Sequence, residues 1–186
     1  VATKYAIVND PDFLIKMLGV CKDAEQRGLV RLLDLTGMHV SSLKNAQLVR
    51  RGPKTYVSWR RPKTGKTLEA LVRPQSLSDI EAFMATRRHH RQTYYDEIKL
   101  LGIKAGYESI SPMTFRHNRC IALCKKNLPI TEIAQVMGCS EAVVVRNYSK
   151  LREDQLYQED EEETTGKGVE KSGSYDPQMP KELGVR

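Results

Sequence analysis

The sequence predicts a mainly α-helical chain with a small antiparallel β-sheet, an α+β architecture. Two observations lead there. Most apolar residues recur at helical spacing, in short segments punctuated by capping residues, Gly and Pro. One internal stretch, TYVSW-RRPKTGK-TLEALVRP, instead alternates strand-forming residues around a basic turn. The length of 186 residues is enough to bury a real core, and 40% apolar content is ordinary for a globular chain.

The elements follow in order. Asp10-Pro11-Asp12 opens a helix, with Pro one place in and acids in the first turn, and FLIKMLGVC continues it. A second helix is expected from about Asp23 to Leu35, with Leu29, Val30, Leu32 and Leu33 on its apolar side; Thr36-Gly37 breaks it. Val40 to Leu48 reads as a third, short helix. TYVSW and TLEALVRP form a hairpin or small sheet with PKTGK at its tip. SLSDIEAFMATRRHHR reads as a helix with Ser78 as N-cap. Tyr94 to Leu101 is a further helix, ended by Gly102. Ser111-Pro112 opens a helix over MTFRHNRCIALCKKN. Pro129 then starts a two-helix unit: Ile130 to Met137, a GCS turn, and Glu141 to Leu151.

Residues 1–152 read as one domain and 153–186 as an acidic tail, a short helix followed by disorder from about Glu159. The chain begins with Val, so it reads as a fragment or a processed product. The net charge of +7 divides unevenly: the tail carries −6 and the body +13. A compact body with that surplus suggests a polyanion partner. Cys21, Cys120, Cys124 and Cys139 contain no C-x-x-C pair, which argues against zinc; Cys120 and Cys124 read as buried thiols in a reducing compartment. No apolar run approaches the roughly 20 residues that span a bilayer.

The closing unit admits two uses. Ala134, Gly138 and Val144 sit at the offsets of a helix-turn-helix, in which small Ala permits close approach and Gly accepts a positive φ. The AVVV run, however, suits core packing better than base reading. Alternatively, the second helix carries one hydroxyl, that of Tyr148, to a phosphate. Cleavage by tyrosine needs strong donors on the two non-bridging oxygens and an acid for the departing 5′ oxygen. Arg116 suits the first task and Lys63, at the hairpin tip, the second.

Four blocks in order resemble the catalytic domain of the tyrosine recombinases, or phage-type integrases: LVRLLDLTGMHVSSLKNAQL, PKTGK, SISPMTFRHNRCIAL and LPITEIAQVMGCSEAVVVRNYSKL. The resemblance covers roughly Val8 to Leu151 and implies a DNA breaking-rejoining domain. By it, Tyr148 attacks phosphorus to give a 3′-phosphotyrosyl link, and Lys63 protonates the leaving hydroxyl, with Lys66 the fallback. Arg116 grips the scissile phosphate and His117 supports it. This chain departs from the family at three catalytic positions. His39 stands where the family has its first arginine, Met113 where it has histidine, and Cys139 where it has histidine or tryptophan. Loss of one such donor costs on the order of 3 kcal/mol.

The resemblance implies no nucleotide or metal cofactor, duplex DNA as partner, and a homo-oligomer on DNA. It also implies a cytoplasmic setting: nucleoid-associated, or host cytoplasm for a viral protein. The family's usual N-terminal clamp domain has no room in this chain. Arg60, Arg61, Lys66, Arg87, Arg88, Arg91 and Arg119 are further DNA-contact candidates, with Arg50 and Arg51 beside the hairpin. Two readings stay open beside this one: a recombinase-like or helix-turn-helix binder without chemistry, and a type IB-like topoisomerase.

Overall fold

The computed structural model describes residues 8, 10–86 and 90–146. Helix α1 (Phe13–Gly19) starts after the Asp10-Pro11-Asp12 turn, in which the Phe13 N–H donates to the Asp10 carbonyl. Asp10 also ties this turn to a distant loop: its Oδ2 accepts from Lys16 Nζ at 2.7 Å and from the Tyr107 hydroxyl at 2.6 Å. Those bonds hold its carboxyl at about 2, well below the usual carboxylate range.

Helix α2 (Ala24–Thr36) begins at Asp23, whose side chain accepts the Gln26 N–H at 2.8 Å. It ends at Gly37, whose φ of 56° lets its N–H return to the Leu33 carbonyl. Leu29, Val30, Leu32 and Leu33 are all buried. Helix α3 (Pro74–Thr86) lies against α2. A Cβ on Gly28 would stand 2.0 Å from the Asp79 carbonyl oxygen, so the two backbones nearly touch there. Arg27 and Arg31 clasp the Asp79 carboxylate at 3.1 and 2.8 Å across the same crossing. Gly28→Ala is therefore expected to destabilise the fold by about 3 kcal/mol, the upper part of the overpacking range. Thermal unfolding by circular dichroism should fall by roughly 10 °C, and an unchanged Tm would contradict the close crossing.

A 3-10 turn (Val40–Asn45) follows α2 and leads into strand β1 (Gln47–Arg51). The helix expected over Val40 to Leu48 is thus corrected: it is one tight turn, and its end is a strand. A two-residue turn at Gly52-Pro53 joins β1 to β2 (Lys54–Arg60), with Arg51 opposite Lys54. β3 (Thr67–Leu71) pairs with the other edge of β2, so the sheet has three antiparallel strands in the order β1-β2-β3. Val57, Trp59 and Leu68 face the core.

Two further boundaries differ from the sequence expectation. α3 starts at Pro74, a residue that suits a first helical turn, and Ser78 lies inside it. Helix α4 (Arg91–Lys104) runs through Gly102 rather than stopping there. A Cβ on Gly102 would lie 2.6 Å from Ile110 Cβ, so the glycine serves close packing.

Helix α5 (Pro112–Cys124) opens where expected, with the Ser111 N–H donating to the Thr114 hydroxyl. It joins two apolar clusters. Phe115 packs on Phe13 in the larger one, with ring centroids 5.1 Å apart. Cys120, Leu123 and Cys124 belong to a smaller one with Ile133, Ala134, Met137 and Val144. Helix α6 (Ile130–Met137) ends at Gly138, φ 58°, and residues 141–146 are again helical. The thiols are free and Cys120 and Cys124 are buried. Among the described residues no helix is long and apolar enough to cross a membrane. The tail expected over 153–186 and residues 147–151 of the closing helix lie outside the described residues.

Candidate active site

Arg116 sits on the first turns of α5, between the ends of α2 and α6. Both of those helices close on a left-handed glycine, and each closure leaves a backbone carbonyl facing the gap. One terminal nitrogen of Arg116 donates to the Gly37 carbonyl and the other to the Met137 carbonyl, each at 2.8 Å. The negative ends of two helix dipoles thus hold a guanidinium in a fixed orientation. Three of its five N–H groups stay outside these two bonds. Burial pulls the Arg116 pKa below its ordinary value, the nearby Cys139 thiol offsets this, and Arg61 adds to the depression. Arginine stays charged in spite of such shifts.

His39 caps the 3-10 turn after α2. Its Nδ1 lies 2.8 Å from the Ser41 hydroxyl and accepts the Ser41 N–H at 3.3 Å. A neutral ring accepting at Nδ1 carries its proton on Nε2, which leaves one N–H to donate. Burial lowers the His39 pKa from 6.5, and the charges of Arg91, Arg116, Lys63 and Arg61 lower it further, in that order. One imidazole therefore feels four cations, drawn from the start of α4, from α5 and from the hairpin between β2 and β3. Positive charge is thus concentrated around this end of the hairpin.

The hairpin tip is closed by backbone and side chain together. The Arg61 N–H donates to the Lys66 carbonyl, Gly65 N–H to the Arg61 carbonyl, and Arg60 Nε to the Gly65 carbonyl. Lys63 and Lys66 are both exposed. Lys66 lines an open cavity of about 440 Å³ with Arg61, Gly138 and Cys139. The half-buried Cys139 follows the αL glycine, and its N–H returns to the Ala134 carbonyl at 2.9 Å.

The structure thus brings Arg91, Arg116, Lys63 and Arg61 within electrostatic range of His39, and Cys139 and Arg61 within range of Arg116. Met113 and His117 are half-buried beside Arg116 on α5. Other candidates are engaged elsewhere. The charges that act on Arg119 are those of Asp34, a carboxyl that burial pushes up, and of Arg73. Arg60 is spent on the hairpin, Arg51 pairs with Glu69 at 2.7 Å, and Arg50 with Glu81 at 2.9 Å. Tyr148, Arg87 and Arg88 lie outside the described residues. The carbonyls of Gly37 and Met137, which aim Arg116, left no mark in the sequence beyond the glycines that end their helices.

No family model matches the chain, and no curated protein does. Solved structures do. XerA recombinase superposes with a TM-score of 0.66 at 20% identity, over 82% of this chain and 65% of that one. XerH site-specific recombinase, in a post-cleavage complex with a palindromic difH substrate, gives 0.60 at 13% identity, over 79% and 50%. Tn1549 transposon integrase, in complex with a circular intermediate DNA, gives 0.54 at 12% identity, over 77% and 61%. The chain spans between 50% and 65% of the length of these solved chains.

Proposed function

We propose that this chain, which has the fold of the tyrosine recombinase catalytic domain, cleaves and rejoins duplex DNA at a specific site through a 3′-phosphotyrosyl intermediate. The observation that carries the reading is Arg116, held by two helix-end carbonyls, with the charges of Arg116, Arg91, Lys63 and Arg61 all reaching one imidazole, that of His39. Such a concentration of positive charge attracts a phosphodiester and stabilises the charge that grows on its non-bridging oxygens during attack. The neighbours in the comparison include recombinases and an integrase in complex with DNA.

Within this reading Tyr148 is the nucleophile. Its phenol releases a proton to solvent as its oxygen forms the bond to phosphorus and the bond to the 5′ oxygen breaks, and Lys63 gives the departing oxygen its proton. Attack by a second 5′ hydroxyl on the phosphotyrosine reverses the step and restores a phosphodiester. Exchange of strands between two duplexes calls for several copies on DNA, as in integration or excision of a mobile element.

A nicked suicide duplex tests this. The native chain should form a covalent adduct on a denaturing gel, and Tyr148→Phe should form none. Salt-sensitive binding without adduct would replace this reading with that of a DNA binder lacking chemistry. His39 and Cys139, weaker donors than the residues that the resembled family has at these two positions, favour that second reading.

A further inference from the structure

We propose that Arg61 is a phosphate-gripping residue: its guanidinium donates to the non-bridging oxygen that His39 and Cys139 serve poorly. The assignment rests on the cleavage function above and deepens it.

The argument is geometric. Arg61 stands at the root of the hairpin, where its own N–H and carbonyl are locked to Lys66 and Gly65 at 2.9 Å each. Its side chain does not follow the hairpin outward. It crosses onto the turn after α6, where a Cβ on Gly138 would lie 2.8 Å from Arg61 Cδ and 3.5 Å from Arg61 Nε. Only glycine leaves room for that crossing. Arg61 and Cys139 line the same open cavity of about 440 Å³. Glu141 is the one carboxylate on that cavity's lining.

The other arginines of the sheet have partners: Arg50 and Arg51 have carboxylates and Arg60 a carbonyl. Among the described residues the Arg61 guanidinium has no hydrogen-bond or ion-pair partner. The charge of Arg61 is felt by both His39 and Arg116, lowering the pKa of each.

Single-turnover cleavage of the nicked duplex tests the assignment, on an ordinary scissile phosphate and on a methylphosphonate, in which a methyl group replaces one charged oxygen. Arg61→Ala should slow adduct formation on the ordinary phosphate about a hundredfold, the usual effect of losing one such donor. Duplex affinity should fall only a few-fold, as for one phosphate contact. Arg61→Lys should recover little, since it lacks the fork. On the methylphosphonate the gap between the native chain and Arg61→Ala should narrow to roughly tenfold or less, because the charge to be stabilised is gone. A deficit of equal size on both substrates would make Arg61 a structural prop and overturn the proposal. So would an Arg61→Ala rate within about threefold of the native rate on the ordinary phosphate. No adduct from the native chain sinks the cleavage reading itself, a result readily told apart from a native adduct that Arg61→Ala leaves undiminished.

Discussion

Arg116→Ala should slow adduct formation on a suicide duplex by about a thousandfold, the upper end of the cost of one oxyanion donor. It should also lower stability by about 3 kcal/mol, because it orphans two helix-end carbonyls at once. Arg116→Lys separates the two effects. A single ammonium keeps the charge and satisfies one carbonyl, so most stability should return while cleavage stays impaired. Comparing rates well below each variant's Tm removes the folding contribution. Cleavage by Arg116→Ala within about tenfold of the native rate would show that the guanidinium serves the fold alone.

His39→Arg should have the opposite effect, raising cleavage by about a hundredfold. The native imidazole is held neutral at pH 7 by burial and by Arg91, Arg116, Lys63 and Arg61. A neutral imidazole has one N–H to donate and no charge. The sign of its pH dependence follows. The folded pKa lies below 6.5, so His39 gains charge only as pH falls through that lower value. At subsaturating DNA the native rate should therefore climb as pH falls through that lowered value, until the fold itself suffers. The unfolded chain takes up the proton first, so folding stability declines over the same interval. The arginine variant should be flat there. If neither the substitution nor acid raises the rate, position 39 is no part of the clamp.

How much of this was legible in the sequence depended on the range of the forces involved. α1, α2, α5 and α6 were readable because their ends are local: an Asp, Ser or Pro before, an αL glycine or a turn after. β1 was missed because QLVRR alternates poorly. Its conformation comes from pairing with β2, and Gly52-Pro53 between two basic strands was the one local clue. Gly102 was misread for a related reason. A glycine can end a helix or let another chain segment in, and only Ile110, arriving from outside α4, decides between them. At the site, the residue types at 39, 63, 116 and 139 were evident. The crossing of Arg61 onto Gly138 and the two carbonyls behind Arg116 were not, since each joins segments far apart in the chain.

The double anchoring of Arg116 has a consequence for how DNA would sit. A guanidinium tethered through both terminal nitrogens cannot swing out to meet an approaching strand. It is a fixed datum set by the interior, whereas the exposed Lys63 at the hairpin tip is free to adjust. The duplex would have to deform to the protein at the cleaved step, and tolerance of different sequences would fall to the hairpin side. DNA flexibility at that single step, rather than base contacts there, would then rank one target above another.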